Sequence, residues 1–219
     1  MNKSNIHLKR ALRSVLLVLL LSAVGMTKMY ASYDFSAVCE TGQTLYYTIT
    51  DSENHYVKLT YPGTDFNNGW YGFTKPAGDL VLPESVQYDG LTYSVTSIGD
   101  HVFSYCSGLT SIEIPSSVTS IENYTFSSCT SLTSIEIPNS VTSIGTMAFN
   151  RCSGLISIEI PNSVTSIGNS AFFLCSSLTS IEIPNLLTSI GSGVFMDCSS
   201  LTSIEIPNSV ISIDRKSVV

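Results

Sequence analysis

The sequence predicts a β-rich solenoid, with a parallel sheet on one face, short extended and helical-turn segments on the other, and a β cap at the N-terminal end. Three observations predict it. Prolines fall at Pro115, Pro138, Pro161, Pro184 and Pro207, and cysteines at Cys106, Cys129, Cys152, Cys175 and Cys198, each series stepping by 23 residues. Between them recurs one unit, LTSIEIPNSVTSIGxxAFxxCSS, in unbroken register. Self-similarity at a fixed short period marks a stack in which each unit covers its neighbour's apolar face and none is stable alone. Third, the 219-residue chain is 43% apolar but only 12% charged, against about 25% charged in an average domain. Its polarity rests on Ser, Thr and Asn, which can hydrogen-bond along a stack of turns.

At the N-terminus, Lys3, Lys9, Arg10 and Arg13 precede an apolar run from Val15 to Leu21, extended by Ala23 and Val24. A mature membrane helix needs about 20 apolar residues, so the run reads as a secretion signal within residues 1–31. Cleavage after Gly25 or after Ala31 fits equally. No Cys directly follows the run, which argues against a lipid attached there. Removing residues 1–31 takes away five basic side chains and no acidic one. The remainder keeps five basic and 17 acidic residues, a net charge of −12 where the whole chain has −7. Such acidity repels nucleic acid phosphates and anionic membranes and suits a basic ligand or divalent cations.

Residues 32–76 do not match the unit and read as an N-terminal β cap. Leu45–Ile49 and Tyr56–Tyr61 are β-prone runs separated by the polar turn Asp51-Ser52-Glu53-Asn54, a hairpin signature. A stretch rich in Gly and aromatics follows, with Trp70, Tyr71 and Phe73. The first turn of a solenoid otherwise exposes its core, which is the work of a cap.

Residues 77–219 are the solenoid. Leu80-Val81-Leu82-Pro83 opens the first turn, but Pro83 precedes Pro115 by 32 residues, nine more than the period. The surplus, residues 87–95, centres on Asp89-Gly90, a strong two-residue hairpin signal. Full units start at Leu109, Leu132, Leu155 and Leu178, and the one starting at Leu201 is incomplete. In each, Leu-x-x-Ile-x-Ile-Pro makes a strand, Val-Thr-Ser-Ile-Gly a second extended piece, and Ala-Phe-x-x-Cys a helical turn with Phe inward. Burying each Ile or Phe contributes roughly 1.5–3 kcal/mol. Glu122 and Asp214 replace the Gly found at Gly99, Gly145, Gly168 and Gly191, so that position cannot strictly require a left-handed backbone.

This unit resembles the BspA-type leucine-rich repeat of bacterial surface proteins, and the lead-in from Asp34 to Cys39 is similar to the start of such proteins. The resemblance implies a secreted or cell-surface protein that attaches to host matrix proteins or other cells by multivalent contact.

The residues themselves offer few sites. Glu113, Glu136, Glu159, Glu182 and Glu205 alternate with inward Ile and so form an outward column on the concave face. The column serves either as an acidic stripe for basic partner segments or cations, or simply as the unit's solubilising residue. Trp70 and Tyr71 are candidates to stack on a sugar, or else belong to the core of the cap. The Cys ladder lacks C-x-x-C or Cys/His metal spacing and reads as buried free thiols. His55 and His101 lie in no catalytic or zinc motif, and no phosphate loop is present. No enzyme activity, cofactor or metal is expected. The resemblance implies a protein ligand as the leading partner, with a glycan-binding module or a fragment lacking independent activity as alternatives. Neither nucleic acid nor membrane insertion after signal removal is expected.

Overall fold

In this computed structural model, which describes residues 33–63, 69–214 and 216–217, the chain climbs one turn per 23 residues. The secretion signal expected within residues 1–31 lies outside the described residues. The elements in chain order begin with β1 (Phe35–Val38), β2 (Thr44–Asp51) and β3 (Tyr56–Thr60). Next come β4 (Gly78–Val81), β5 (Ser85–Tyr88), β6 (Leu91–Ile98) and β7 (Leu109–Glu113). The remaining strands are two residues each: β8 (Ser120–Ile121), β9 (Ser143–Ile144), β10 (Ser157–Ile158), β11 (Ser166–Ile167), β12 (Ser180–Ile181), β13 (Ser189–Ile190) and β14 (Ser212–Ile213).

Every turn has three sides, each held to its neighbour by a backbone ladder. The first side carries the Leu-x-x-Ile-x-Ile strands. β4 pairs in parallel with β7, and β10 with β12. Bridges Glu113 to Glu136, Glu136 to Glu159 and Glu182 to Glu205 continue the ladder between them. The second side stacks the Ser-Ile pairs, in the order β6-β8-β9-β11, with β13 pairing β14 further along. Its sheet runs on through β3, β2 and β1, so the antiparallel cap strands extend a parallel ladder through the β3–β6 pairing. That continuity covers the second side of the first turn without a separate interface.

The expected hairpin is β5–β6, paired antiparallel with Tyr88 opposite Leu91. Asp89 and Gly90 both have positive φ, 53° and 77°, the geometry of the tight turn that Asp-Gly favours.

The third side corrects the expected helical turn. Ala-Phe-x-x-Cys closes through Cys N–H to Phe C=O bonds, 3.0 Å at Cys106 and 3.1 Å at Cys152, and continues into no helix. Two residues in each turn are left-handed, although mostly not glycine. One series is His101, Tyr124, Met147 and Ser170, and the other Tyr105, Ser128, Arg151, Leu174 and Asp197. The cause lies in the ladder. Tyr124, Phe126 and Ser128 send their N–H groups to Thr146, Ala148 and Asn150 of the following turn, at 2.9, 2.8 and 2.7 Å. Left-handed φ costs roughly 1–2 kcal/mol in a non-glycine residue, and the interturn bonds offset it.

The core is continuous from cap to last turn. Phe103, Phe126, Phe149, Phe172 and Phe195 stack with centroids 5.3–5.8 Å apart and planes within 13°. The thiols beside them are fully buried, and four of the five tie two turns together. Cys129, Cys152, Cys175 and Cys198 point Sγ at the carbonyls of Phe103, Phe126, Phe149 and Phe172, all at 3.1 Å.

Candidate functional site

Alternation along the first side decides what faces outward. Ile112 and Ile114 are buried, and Glu113 between them is exposed. The same holds at Glu136, Glu159 and Glu182, and Glu205 is likewise exposed. Parallel pairing keeps the register from turn to turn, through the three Glu bridges and the Ser157–Ser180, Ile158–Ile181 pairing that joins Glu159 to Glu182. The five carboxylates therefore form one unbroken column at strand spacing, about 4.8 Å per step. Like charges opposite one another on a sheet are destabilising. Beside the column runs a second, of threonines, in which Thr133 and Thr179 hydrogen-bond the turn below. Ile156 interrupts it and is half exposed, at 52%.

Near the cap the column meets a groove of about 440 Å³. Its floor and walls are Val81, Leu82, Ile114 and the prolines Pro83, Pro115 and Pro138, and its carboxylates are Glu40, Glu84, Glu113 and Glu136. Asp79 lies on the neighbouring strand, where Ser111 and Thr110 hydroxyls donate to Oδ1 at 2.6 and 2.9 Å and hold its carboxyl below the usual range. Sequence reading singled out neither Glu40 nor Glu84. They belong to no column, so no periodic signal marks them.

The two aromatic candidates part company. Trp70 is buried at 2% exposure, packed edge-on against Tyr46, with its indole N–H donating to the Val102 carbonyl at 2.7 Å. In that position its ring faces are not open to a sugar. Tyr71 beside it is 69% exposed. Tyr105 is also exposed, and Lys75 sits 6.0 Å from its ring centroid while donating to its carbonyl at 3.2 Å.

The cysteines and His101 are engaged in packing. All six cysteines are free and buried. Burial pushes the Cys106 thiol up to about 12 and Cys198 to about 11, and raises Cys129, Cys152 and Cys175 further. The His101 ring stacks on Tyr124 at 4.5 Å, and burial holds its pKa below the usual value despite Asp100 nearby. What the molecule offers is an exposed, regular, acidic surface.

Comparison with known proteins agrees with this architecture. A family model described as the BspA type leucine rich repeat region matches residues 96–218 in six copies. The chain is 29% identical to a leucine-rich repeat protein from Bacteroides ovatus, with a TM-score of 0.61, over 85% of this chain and 50% of that one. It is also 29% identical to a leucine rich cell surface protein from Faecalibacterium prausnitzii, with a TM-score of 0.66, over 85% and 47%. A leucine-rich repeat protein of T. pallidum shares 28% identity, with a TM-score of 0.62, over 77% and 78%. The chain thus spans about half the length of the first two structures. No curated protein matches it. The repeat, its register and these likenesses agree: the chain belongs to the BspA-type leucine-rich repeat family.

Proposed function

We propose that this protein is a secreted or cell-surface recognition protein that attaches to extracellular matrix or cell-surface proteins through the acidic face of its repeat sheet. The observation that carries this is the unbroken column from Glu113 to Glu205, five exposed carboxylates held in register by parallel pairing. A rigid row of equal charges binds a basic partner segment through several weak contacts at once, and their energies sum along the stack. Surface display is supported by the likeness to the cell surface protein from Faecalibacterium prausnitzii. The 17 acidic residues against 10 basic favour a basic ligand over an anionic one.

The test is binding of the purified protein to immobilised matrix proteins and glycans, at low and at high salt. The triple variant Glu136→Gln, Glu159→Gln, Glu182→Gln is run beside it. Binding to a protein that falls with salt and is lost in the triple variant supports the reading. Salt-insensitive binding to a glycan that depends on Tyr71, or protein binding unchanged in the triple variant, overturns it.

A further inference from the structure

Among the described residues, the groove at the cap-side end of the column borders a sheet edge left half covered. In the parallel ladder, Gly78 and Leu82 donate to Gly108 and Glu113 at 2.8 and 3.1 Å, so alternate residues of β4 face β7. The residues between them, Asp79 and Val81, turn their backbone groups to the opposite side, as strand alternation requires. Among the described residues, the cap covers that edge with a single side chain. The Gln43 carboxamide accepts from Ala77 N–H at 3.2 Å and donates to the carbonyls of Ala77 and Asp79 at 2.9 and 3.4 Å. It reaches no further. Beyond it Val81 lines the groove, with Glu40 of the cap and Glu84 of the first turn among the walls.

We propose that this groove takes an extended segment of a partner protein carrying lysine or arginine, which adds to the free end of β4 as a short strand. The inference rests on the proposed recognition of basic ligands and fixes where on the acidic face that recognition is anchored. Two physical demands meet here. An uncovered strand edge offers backbone hydrogen bonds to any extended chain, and strand addition draws affinity from them and specificity from side-chain pockets. The pocket chooses a cation. A lysine or arginine stem lies well on a floor of Val81, Ile114 and proline while its charged head stays at the rim. The carboxylates of Glu40 and Glu84, both lining the groove, supply the opposite charge for that head.

The probe is a fluorescently labelled, end-blocked hexapeptide of alternating lysine and valine, titrated with the whole protein at low salt. Three controls accompany it: the same peptide N-methylated at alternate amides, a glutamate-for-lysine peptide, and free lysine. The protein variants are Val81→Pro, which removes an outward N–H, with Val81→Ala beside it to separate loss of the side chain; the pair Glu40→Gln, Glu84→Gln; and the distant pair Glu159→Gln, Glu182→Gln. Circular dichroism and the thermal midpoint confirm that each variant is folded. Binding should weaken about tenfold for the groove pair, as expected when a charge-assisted contact is lost. It should weaken similarly for Val81→Pro and for the N-methylated peptide, and clearly less for the distant pair, whose carboxylates belong to the column but not to the groove. Loss in the distant pair with the groove pair intact overturns the anchor but leaves the column reading standing. Equal binding of the N-methylated peptide overturns strand addition. Absence of lysine–valine binding altogether overturns the whole inference, while the matrix-protein experiment decides the column reading on its own.

Discussion

At the residue scale, the glycines show how a correct sequence observation can leave its cause unseen. Glu122 in a glycine position implies that left-handed φ is not needed there, and none of Gly99, Gly145, Gly168 or Gly191 has it. The glycines answer to stacking instead. A Cβ on Gly168 would lie 2.4 Å from the Thr146 nitrogen and 2.6 Å from the Gly145 carbonyl carbon, both backbone atoms of the turn below. Backbone held in a ladder cannot move aside cheaply. Gly168→Ala is therefore expected to destabilise by roughly 1–3 kcal/mol, the usual cost of overpacking, read as a lower urea midpoint at unchanged slope. An unchanged midpoint would mean that the stacked turns separate freely. The truly left-handed positions were hidden for the converse reason. They carry Tyr, Ser, Arg, Leu and Asp, and no composition signal marks a backbone that interturn bonds, rather than side chains, hold in place.

At the element scale, legibility follows how local the cause is. The β5–β6 hairpin was readable because Asp89-Gly90 encodes its own turn, and the two cap strands because they alternate around a polar turn. The Phe-x-x-Cys segment misled because a spacing of three suits a helical turn and a closed β-turn equally. Only the interturn bonds of the third side choose between them. The thiols in that segment make its burial measurable. The reactive species is the thiolate, and with Cys106 held at about 12 only about one thiol in ten thousand is ionised at pH 8. Maleimide at pH 8 should therefore leave Cys106, Cys129, Cys152 and Cys175 unmodified in the native protein. Cys198, raised only to about 11, should react first among the ladder, and unfolding in urea should release all five. Mass spectrometry of the labelled protein reads this directly, and rapid native labelling at Cys152 would contradict the buried ladder. The same shifts fix a sign for stability. An unfolded thiol ionises above about pH 8.5 whereas the native one keeps its proton. The ladder's contribution is therefore complete below that pH and falls as pH rises toward the native values.

At the scale of the whole molecule, one charge distribution acts on two equilibria in opposite directions. The period made the architecture and the Glu column legible. The groove was not, because it forms only where the aperiodic cap residue Glu40 approaches the first turn. Within the folded protein the column is a row of like charges about 4.8 Å apart, well inside the Debye length of about 8 Å at physiological ionic strength. Only the partial screening of that repulsion by salt changes as ionic strength rises, so the folded stack should gain stability. The urea midpoint is expected to climb steadily between 10 mM and 500 mM sodium chloride, and to climb less in the Glu136→Gln, Glu159→Gln, Glu182→Gln variant. A basic partner experiences the reverse. Its attraction to the same carboxylates is screened, so affinity should fall over that range, mainly through slower association. Stability and binding measured on one sample across one salt series should thus move oppositely, and the triple variant should flatten both slopes. If the stability slope flattens while the binding slope does not, the column is a source of strain in the fold and the ligand is held elsewhere on the surface.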